Sequence, residues 1–216
     1  MHRQHCQGGS LLSESMPTST RRARERAGIR DRIFTAALQV LEEEGAAALT
    51  VRRIATEVEY TAPVVYQHFA GKDGLMLELV THGYTLLLTE ARAIATAETD
   101  PDQRLLRVAA GYVRFAGDHP HLYEAMNGTA VGAAGRLEAA QPTIDLLAEL
   151  LAAWSAVHGV KPPGDNASCE ILWGTLHGMA TLGRLEAVGT ERAQHLAEQA
   201  VDAILLGWRH RPGLPA

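Results

Sequence analysis

A histidine works as a general base only beside a nucleophile and a group that orients its ring. His177 has a cysteine eight residues earlier, Cys169. On a helix that is two turns, about 12 Å along the axis, too far for a thiol–imidazole pair. No Gly-x-Ser-x-Gly elbow, P-loop or Gly-x-Gly-x-x-Gly follows a strand. His119-x-His121 is a weak metal pair, and His2, His5 and Cys6 match no zinc spacing. The expectation is therefore no catalytic site, no metal and no cofactor. A different chemistry is better furnished. The run Ala62, Pro63, Val64, Tyr66, Gln67, His68, with Lys72 after it and the Thr50 cap before it, suits duplex DNA. Glutamine can pair with an adenine edge, and Pro63 or Val64 can meet a thymine methyl. Tyr66, His68, Lys72 and the Thr50 hydroxyl suit phosphate oxygens.

These side chains need a scaffold, and the sequence spells one. Strand alternation is almost absent and helical periodicity prevails, so the fold class is all-α. A first helix is expected over about residues 30–44, with Ile33, Ala37, Val40 and Leu41 on one face and Gly45 ending it. Thr50 can cap a second helix over 51–58, carried by Val51, Ile54, Ala55 and Val58. Thr61 can cap a third, with Pro63 in its first turn and Val65 and Phe69 turned inward. Two short helices joined by a tight turn behind a longer one make a helix-turn-helix. The outward positions of the third helix are then Ala62, Pro63, Val64, Tyr66, Gln67 and His68.

Residues 1–28 read as a flexible basic tail, rich in Gly, Ser, Thr, Gln and Arg, with Met16 an alternative start. The first 30 residues hold six arginines against Glu14 and Glu25. The flexible stretch 21–30 is expected to add backbone or minor-groove contacts. Residues 1–75 carry ten basic against nine acidic side chains, and 76–216 carry ten against sixteen. A polyanion partner at one end only fits that asymmetry. At 46% hydrophobic and 21% charged, the 216-residue chain is no disordered polymer. No apolar run reaches the ~20 residues of a membrane span. Leu11-Leu12 is too short for a secretory signal core. Cys6 and Cys169 form no disulfide framework, and a cytoplasmic location without membrane contact is expected.

The remaining chain reads as helices over about 74–97, 101–117 (Asp100 as cap), 121–127, 142–158, 167–188 and 191–209 (Thr190 as cap), with a small flexible stretch at 128–135. In the last two, Gly174, Gly178, Gly183, Ala187, Ala193, Ala197, Ala200 and Gly207 permit close helix approach. Leu172, Leu176, Leu182, Leu185, Leu196, Ile204 and Leu205 supply apolar area. A four-helix interface between two copies is one reading, and closure of the chain's own core is the other. A cavity between the long helices would be lined by Tyr112, Phe115, Tyr123, Met126, Trp154, Trp173, His177 and Met179, suiting a hydrophobic or aromatic small molecule. Core packing would use the same residues. For His177, a buried hydrogen-bonded role comes first and pocket lining second.

Thr50-Val51-Arg52-Arg53-Ile54-Ala55, Tyr66-Gln67-His68-Phe69 and Lys72-Asp73-Gly74-Leu75 together resemble the signature of TetR-family transcriptional regulators. The likeness covers about residues 29–80. It implies that Thr50, Arg52, Thr61, Ala62, Pro63, Val64, Tyr66, Gln67, His68 and Lys72 contact operator DNA. Two positions of the turn depart from the family: Glu59 stands where glycine is usual, and Tyr60 where a small apolar residue is. Glu59 must then take φ > 0 without glycine's freedom, costing ~1 kcal/mol. Trp173-Gly174-Thr175-Leu176-His177-Gly178, with Tyr112-Val113-Arg114-Phe115-Ala116 and His119-Pro120-His121-Leu122-Tyr123, resembles the Trp-His-Gly class of TetR C-terminal domains. The resemblance implies a helix-turn-helix domain over 29–75 and an effector-binding, dimerisation domain over 76–212. It also implies a homodimeric repressor acting on pseudo-palindromic duplex DNA. The rival readings are a helical protein-interaction module and a small helical enzyme, both without DNA affinity.

Overall fold

The computed structural model describes residues 18–164, 166–185 and 187–210, and every regular element among them is a helix. Helix α1 (Thr18–Glu44) buries Ile33, Ala37, Val40 and Leu41, the face its periodicity marks, and ends at Gly45, whose φ of +81° suits glycine. It starts well before the expected residue 30. Residues 18–28 are thus helical rather than a flexible tail, while 1–17 lie outside the described residues. No apolar stripe announces that extension; Ala23, Ala27 and the exposed Arg21–Glu25 pair at i,i+4 are its helix-favouring features.

Helix α2 (Val51–Glu57) is capped as expected, the Thr50 hydroxyl accepting the Arg53 N–H at 3.1 Å. Thr61 occupies the N-cap of α3 (Ala62–His68), yet its side chain accepts no capping bond. Buried Val65 and Phe69 hold α3 in place instead. Helix α4 (Gly71–Ala97) begins three residues earlier than expected and runs from the end of α3 into the C-terminal half. It leads to α5 (Pro101–Asp118), where Asp100 accepts the Gln103 N–H at 2.9 Å, and to the short α6 (Pro120–Asn127).

Helix α7 (Ala133–His158) corrects two expectations, for it starts nine residues early and carries Pro142 inside. The last three residues of the expected flexible stretch 128–135 are therefore helical, and 128–132 remain loop. Proline removes one helical N–H and strands the carbonyl four residues earlier. Pro142 and Glu138 are exposed, where water can take up that carbonyl, and Ala133, Ala134, Ala139 and Ala140 favour helix on either side of the lost bond. Helix α8 (Ala167–Gly183) stops five residues short of expectation. The chain then turns through Gly189 (φ +74°) into α9 (Thr190–His210).

The C-terminal half packs α5 chiefly on α9, α9 on α8, and α4 on α5 and α7, while α6 lies against both α4 and α1. Trp154, Phe115, Leu122, Met126 and Leu172 are fully buried there. The small residues of the last two helices divide. A methyl group at Gly183 would lie 2.9 Å from the Ala193 Cβ, so glycine is needed there for close approach, but Gly174, Gly178 and Gly207 face open space. Leu172, Leu176 and Leu205, expected among interface residues, belong to the chain's own core; Leu182 and Leu185 are exposed. No helix of the described residues is long and apolar enough to cross a membrane.

Candidate nucleic-acid interface

Thr50, Arg52, Thr61, Pro63, Tyr66, Gln67 and Lys72 are exposed, and Ala62, Val64 and His68 are half-buried. They lie on α2, α3 and the start of α4, around one anchored helix. Tyr66 is 60% exposed although large and apolar, an arrangement a solvated surface does not require. The underside of α3 is pinned by α1: the Arg30 guanidinium stands 4.9 Å over the Phe69 ring and pairs with Glu78, while Arg26 donates to the Gln67 carbonyl at 3.2 Å. Lys72 donates to the Ala46 carbonyl at 3.3 Å, placing its ammonium beside the α1–α2 connection. Arg53 is held between Glu44 (2.9 Å) and Glu57 (2.8 Å), whereas Arg52 makes no ion pair among the described residues. Burial, then the charges of Arg26 and Arg30, lower the pKa of His68 below its ordinary 6.5. Its imidazole is therefore neutral at pH 7, a hydrogen-bonding group rather than a cation.

Glu59 does sit at φ +57°, the left-handed position glycine would occupy without strain. The neighbouring departure, Tyr60, compensates locally. The Arg32 guanidinium lies 5.1 Å over its ring and donates to its hydroxyl, tying the turn to α1. A concavity of about 450 Å3 opens beside this turn, between α1 and the end of α2, lined in part by Asp31, Gln39, Glu57 and Glu59.

The eight residues expected around a ligand cavity fall into separate places. Tyr112 and Tyr123 share a hydrogen bond at 3.2 Å, and the Tyr123 hydroxyl lies 2.7 Å from His177 Nδ1. His177 stacks between Tyr123 (5.9 Å) and Trp173 (5.8 Å), and Trp173 is 52% exposed. Burial pushes the Tyr112 phenol well above its usual range and raises Tyr123, so both hydroxyls stay protonated. Met126 joins through its carbonyl, which accepts from the Tyr84 hydroxyl at 3.3 Å. Met179 is half-buried against the core. Phe115 stacks on His119 instead, at 5.0 Å. Trp154 belongs to another cluster, where its indole N–H donates to Asp102 at 2.8 Å beside His158 and Trp208.

Residues 33–79 match the model of bacterial regulatory proteins of the tetR family, and residues 105–204 match that of the tetracyclin repressor-like C-terminal domain. This chain belongs to the TetR family. An uncharacterized HTH-type transcriptional regulator from Bacillus subtilis, YobS, is 29% identical over 93 residues, 43% of this chain. The match spans 48%, about half, of that relative's length. Among solved structures, a protein of unknown function from Rhodococcus sp. RHA1 superposes with a TM-score of 0.70 at 20% identity, over 92% of this chain and 99% of that one. The fatty acid degradation regulator FadR from Bacillus halodurans gives 0.64 at 19%, over 82% and 98%. FadR from Bacillus subtilis, solved in complex with stearoyl-CoA, gives 0.64 at 14%, over 82% and 97%. At these identities the likeness is one of fold.

Within this TetR fold, two groups of residues escaped sequence reasoning. Tyr84 on α4 reaches the aromatic cluster, but one tyrosine on a long apolar helix carries no distinguishing pattern. Asp102, His158 and Arg209 meet from three helices: His158 Nε2 lies 3.0 Å from Asp102 Oδ2, and Arg209 pairs with the other carboxylate oxygen. Nothing in their spacing, 56 and 51 residues apart, could have joined them.

Proposed function

We propose that this TetR-family chain is a sequence-specific DNA-binding transcriptional regulator, a cytoplasmic homodimeric repressor released from its operator by a small hydrophobic or aromatic effector. The observation that carries the reading is the outer face of α3. It presents Pro63, Tyr66 and Gln67 to solvent, is uncharged, is anchored beneath by Val65 and Phe69, and is flanked by Arg52 and Lys72. A helix of this kind fits the major groove, and two copies read half-sites one DNA turn apart. Residues 29–75 form the reading domain and 76–212 the effector and dimer domain.

Dimerisation is supported by an uncovered apolar stripe. Ile171, Gly174, Gly178 and Leu182 recur along α8 and Leu185 follows just past its end, beside Leu206 and Gly207 on α9, all exposed. The glycines would let a second copy approach closely. The effector site is supported by the Tyr112–Tyr123–His177 hydrogen-bonded chain, a polar anchor within apolar surroundings. Helix α4 carries Tyr84 of that cluster and begins directly behind α3. A ligand favouring one tilt of α4 changes the separation of the two reading helices, and it shifts the equilibrium by no more than its differential affinity for the two states.

Selection of bound duplexes from a random DNA pool tests this. Enrichment of a pseudo-palindrome by the wild-type chain, lost on Tyr66→Ala/Gln67→Ala substitution with the helical content intact, is expected. A folded dimer that enriches no sequence overturns the reading in favour of an interaction module.

A further inference from the structure

The arginines ahead of the reading domain stand on a rigid rod. Helix α1 is continuous from Thr18, residues 21–28 are exposed, and packing against the body begins only at Ile29. Eight exposed residues make about 12 Å of helix ahead of that packing, with Arg26 reaching the body through the Gln67 carbonyl. Arg26 and Arg30 lie two turns ahead of buried Ile33 and Ala37, so their side of α1 is the one that faces the body further along. Arg22 continues the row one turn beyond Arg26.

Two contacts fix where this row points. Arg30 lies over Phe69 and pairs with Glu78; Arg26 donates to the carbonyl of Gln67, a residue of the outer face of α3. The rod therefore leaves the body at the C-terminal end of the reading helix. Arg22 makes no ion pair among the described residues, and Arg21 is paired with Glu25 at 2.9 Å. Arg26 has five N–H donors and uses one on Gln67, so most of its fork remains for another acceptor. Among residues 18–30 the acidic side chain is Glu25, whereas residues 76–216 carry an acidic excess. Positive charge is thus concentrated beside α3, the edge from which a duplex would continue.

We propose that the projecting turns of α1 form a second DNA contact, in which Arg22 and Arg26 grip backbone phosphates flanking the groove entered by α3. The proposal rests on α3 being the reading helix. The contact is to phosphates and not to minor-groove base edges, because a helix with its side chains is about 10–12 Å across and the minor groove about 6 Å wide. A flexible arm threads that groove; a helix straddles its rim. The rod lengthens the footprint and adds affinity and salt dependence, but no sequence preference.

The test is fluorescence anisotropy of the full chain on a mixed-sequence duplex of about 30 bp, titrated at several salt concentrations. Arg22 is exposed and makes no ion pair among the described residues, so Arg22→Ala leaves the fold intact. Each lost phosphate contact lowers the slope of log K against log salt by about 0.9. Because each substitution removes one contact from each copy of the dimer, the expected result is a slope shallower by about 1.8 for Arg22→Ala and by about 3.6 for Arg22→Ala/Arg26→Ala. The slope is retained in Arg22→Lys and in the Lys161→Ala control on a distant loop. The affinity ratio between a selected duplex and the mixed one should not change. Wild-type binding with an unchanged slope in Arg22→Ala overturns the phosphate grip while leaving α3 as the reader. Loss confined to the selected duplex shows Arg26 acting through Gln67, which also overturns it. Wild type binding no duplex at any salt overturns this inference and the function it rests on together.

Discussion

The Tyr123 hydroxyl lies 2.7 Å from His177 Nδ1, and that contact ties the short helix α6 to α8. The same helix is fastened to the reading domain at its other end. His121 Nδ1 lies 2.9 Å from the Glu42 carbonyl, and His119 Nδ1 lies 2.8 Å from the Glu42 carboxylate. Helix α6 thus bridges the end of α1 and the aromatic cluster, a second connection between the two halves beside α4.

Removing the hydroxyl should cost stability before it costs anything else. Tyr123→Phe strips His177 and the buried Tyr112 of one partner each, and unpaired buried groups lose about 1–3 kcal/mol. For a chain of this size a loss of that order lowers Tm by several degrees. Differential scanning calorimetry checks it. An unchanged Tm would mean that water replaces the phenol at no cost and that the cluster is solvated.

His68 gives a pH dependence with a definite sign. Its folded pKa is lowered by burial and by Arg26 and Arg30, so the unfolded chain binds the proton more readily. Its contribution to stability is full above the unfolded value near 6.5 and is lost as pH falls through the folded value. Histidine NMR titration of Arg26→Ala should show the His68 midpoint moving up toward 6.5 as one positive neighbour is removed. A midpoint that stays fixed or falls would contradict the charge effect.

Glu59 holds strain that asparagine tolerates better. At φ +57°, Glu59→Asn should stabilise the chain by about 0.5–1 kcal/mol, since Asn visits the left-handed region at lower cost. It also removes a carboxylate two residues before the N-cap of α3, so affinity for duplex DNA should rise. Urea unfolding and anisotropy measure the two effects independently. Destabilisation would locate a favourable role for the carboxylate that its geometry does not reveal.

How legible this molecule was depended on how local each signal is. Thr50 and Asp100 cap the helices their sequence announces, because a cap needs only the next three residues. Gly45 ends α1 for an equally local reason. The extension of α1 over 18–28 was invisible to hydrophobic periodicity, since an overhanging helix buries no face and has no stripe to display. Pro142 read as a helix start because proline usually is one, yet on an exposed surface one missing N–H did not stop an Ala-rich helix. Trp154 was grouped with Tyr112 and Tyr123 by type. Its neighbours, Asp102 and Trp208, are set by which helix ends meet, a tertiary fact that composition does not encode.

That Asp102 cluster supports its own prediction. Burial pushes the Asp102 carboxyl up, but hydrogen bonds from Trp154 and Arg209 outweigh it and hold the pKa below the ordinary 3.8. The stabilisation is present above the unfolded value and fades as pH falls through the folded one. Asp102→Ala leaves the Trp154 indole N–H and the Arg209 guanidinium without their acceptor and should cost about 2 kcal/mol near pH 7. The penalty should shrink as pH falls through the folded value, where wild type loses the carboxylate as well. Unfolding of both proteins across that range checks it, and a penalty constant with pH would assign the effect to packing rather than charge.

The uncovered stripe on α8 yields the last expectation. Leu182, one turn from open Gly178, is 40% exposed, and Leu185, just past the end of α8, is 53% exposed, so neither supports the chain's own core. Replacing both with aspartate should leave the monomer fold intact while placing charge on the face proposed as the dimer interface. Like charges set against one another across an apolar interface cost several kcal/mol, enough to shift a dimer to monomer at micromolar concentration. Light scattering should then report half the wild-type mass with helical content unchanged. DNA affinity should fall steeply on a two-half-site duplex and little on a single half-site, because one reading helix still docks while the second no longer arrives with it. A double-aspartate variant that stays dimeric would move the interface to another face and leave the α8 stripe without an occupant.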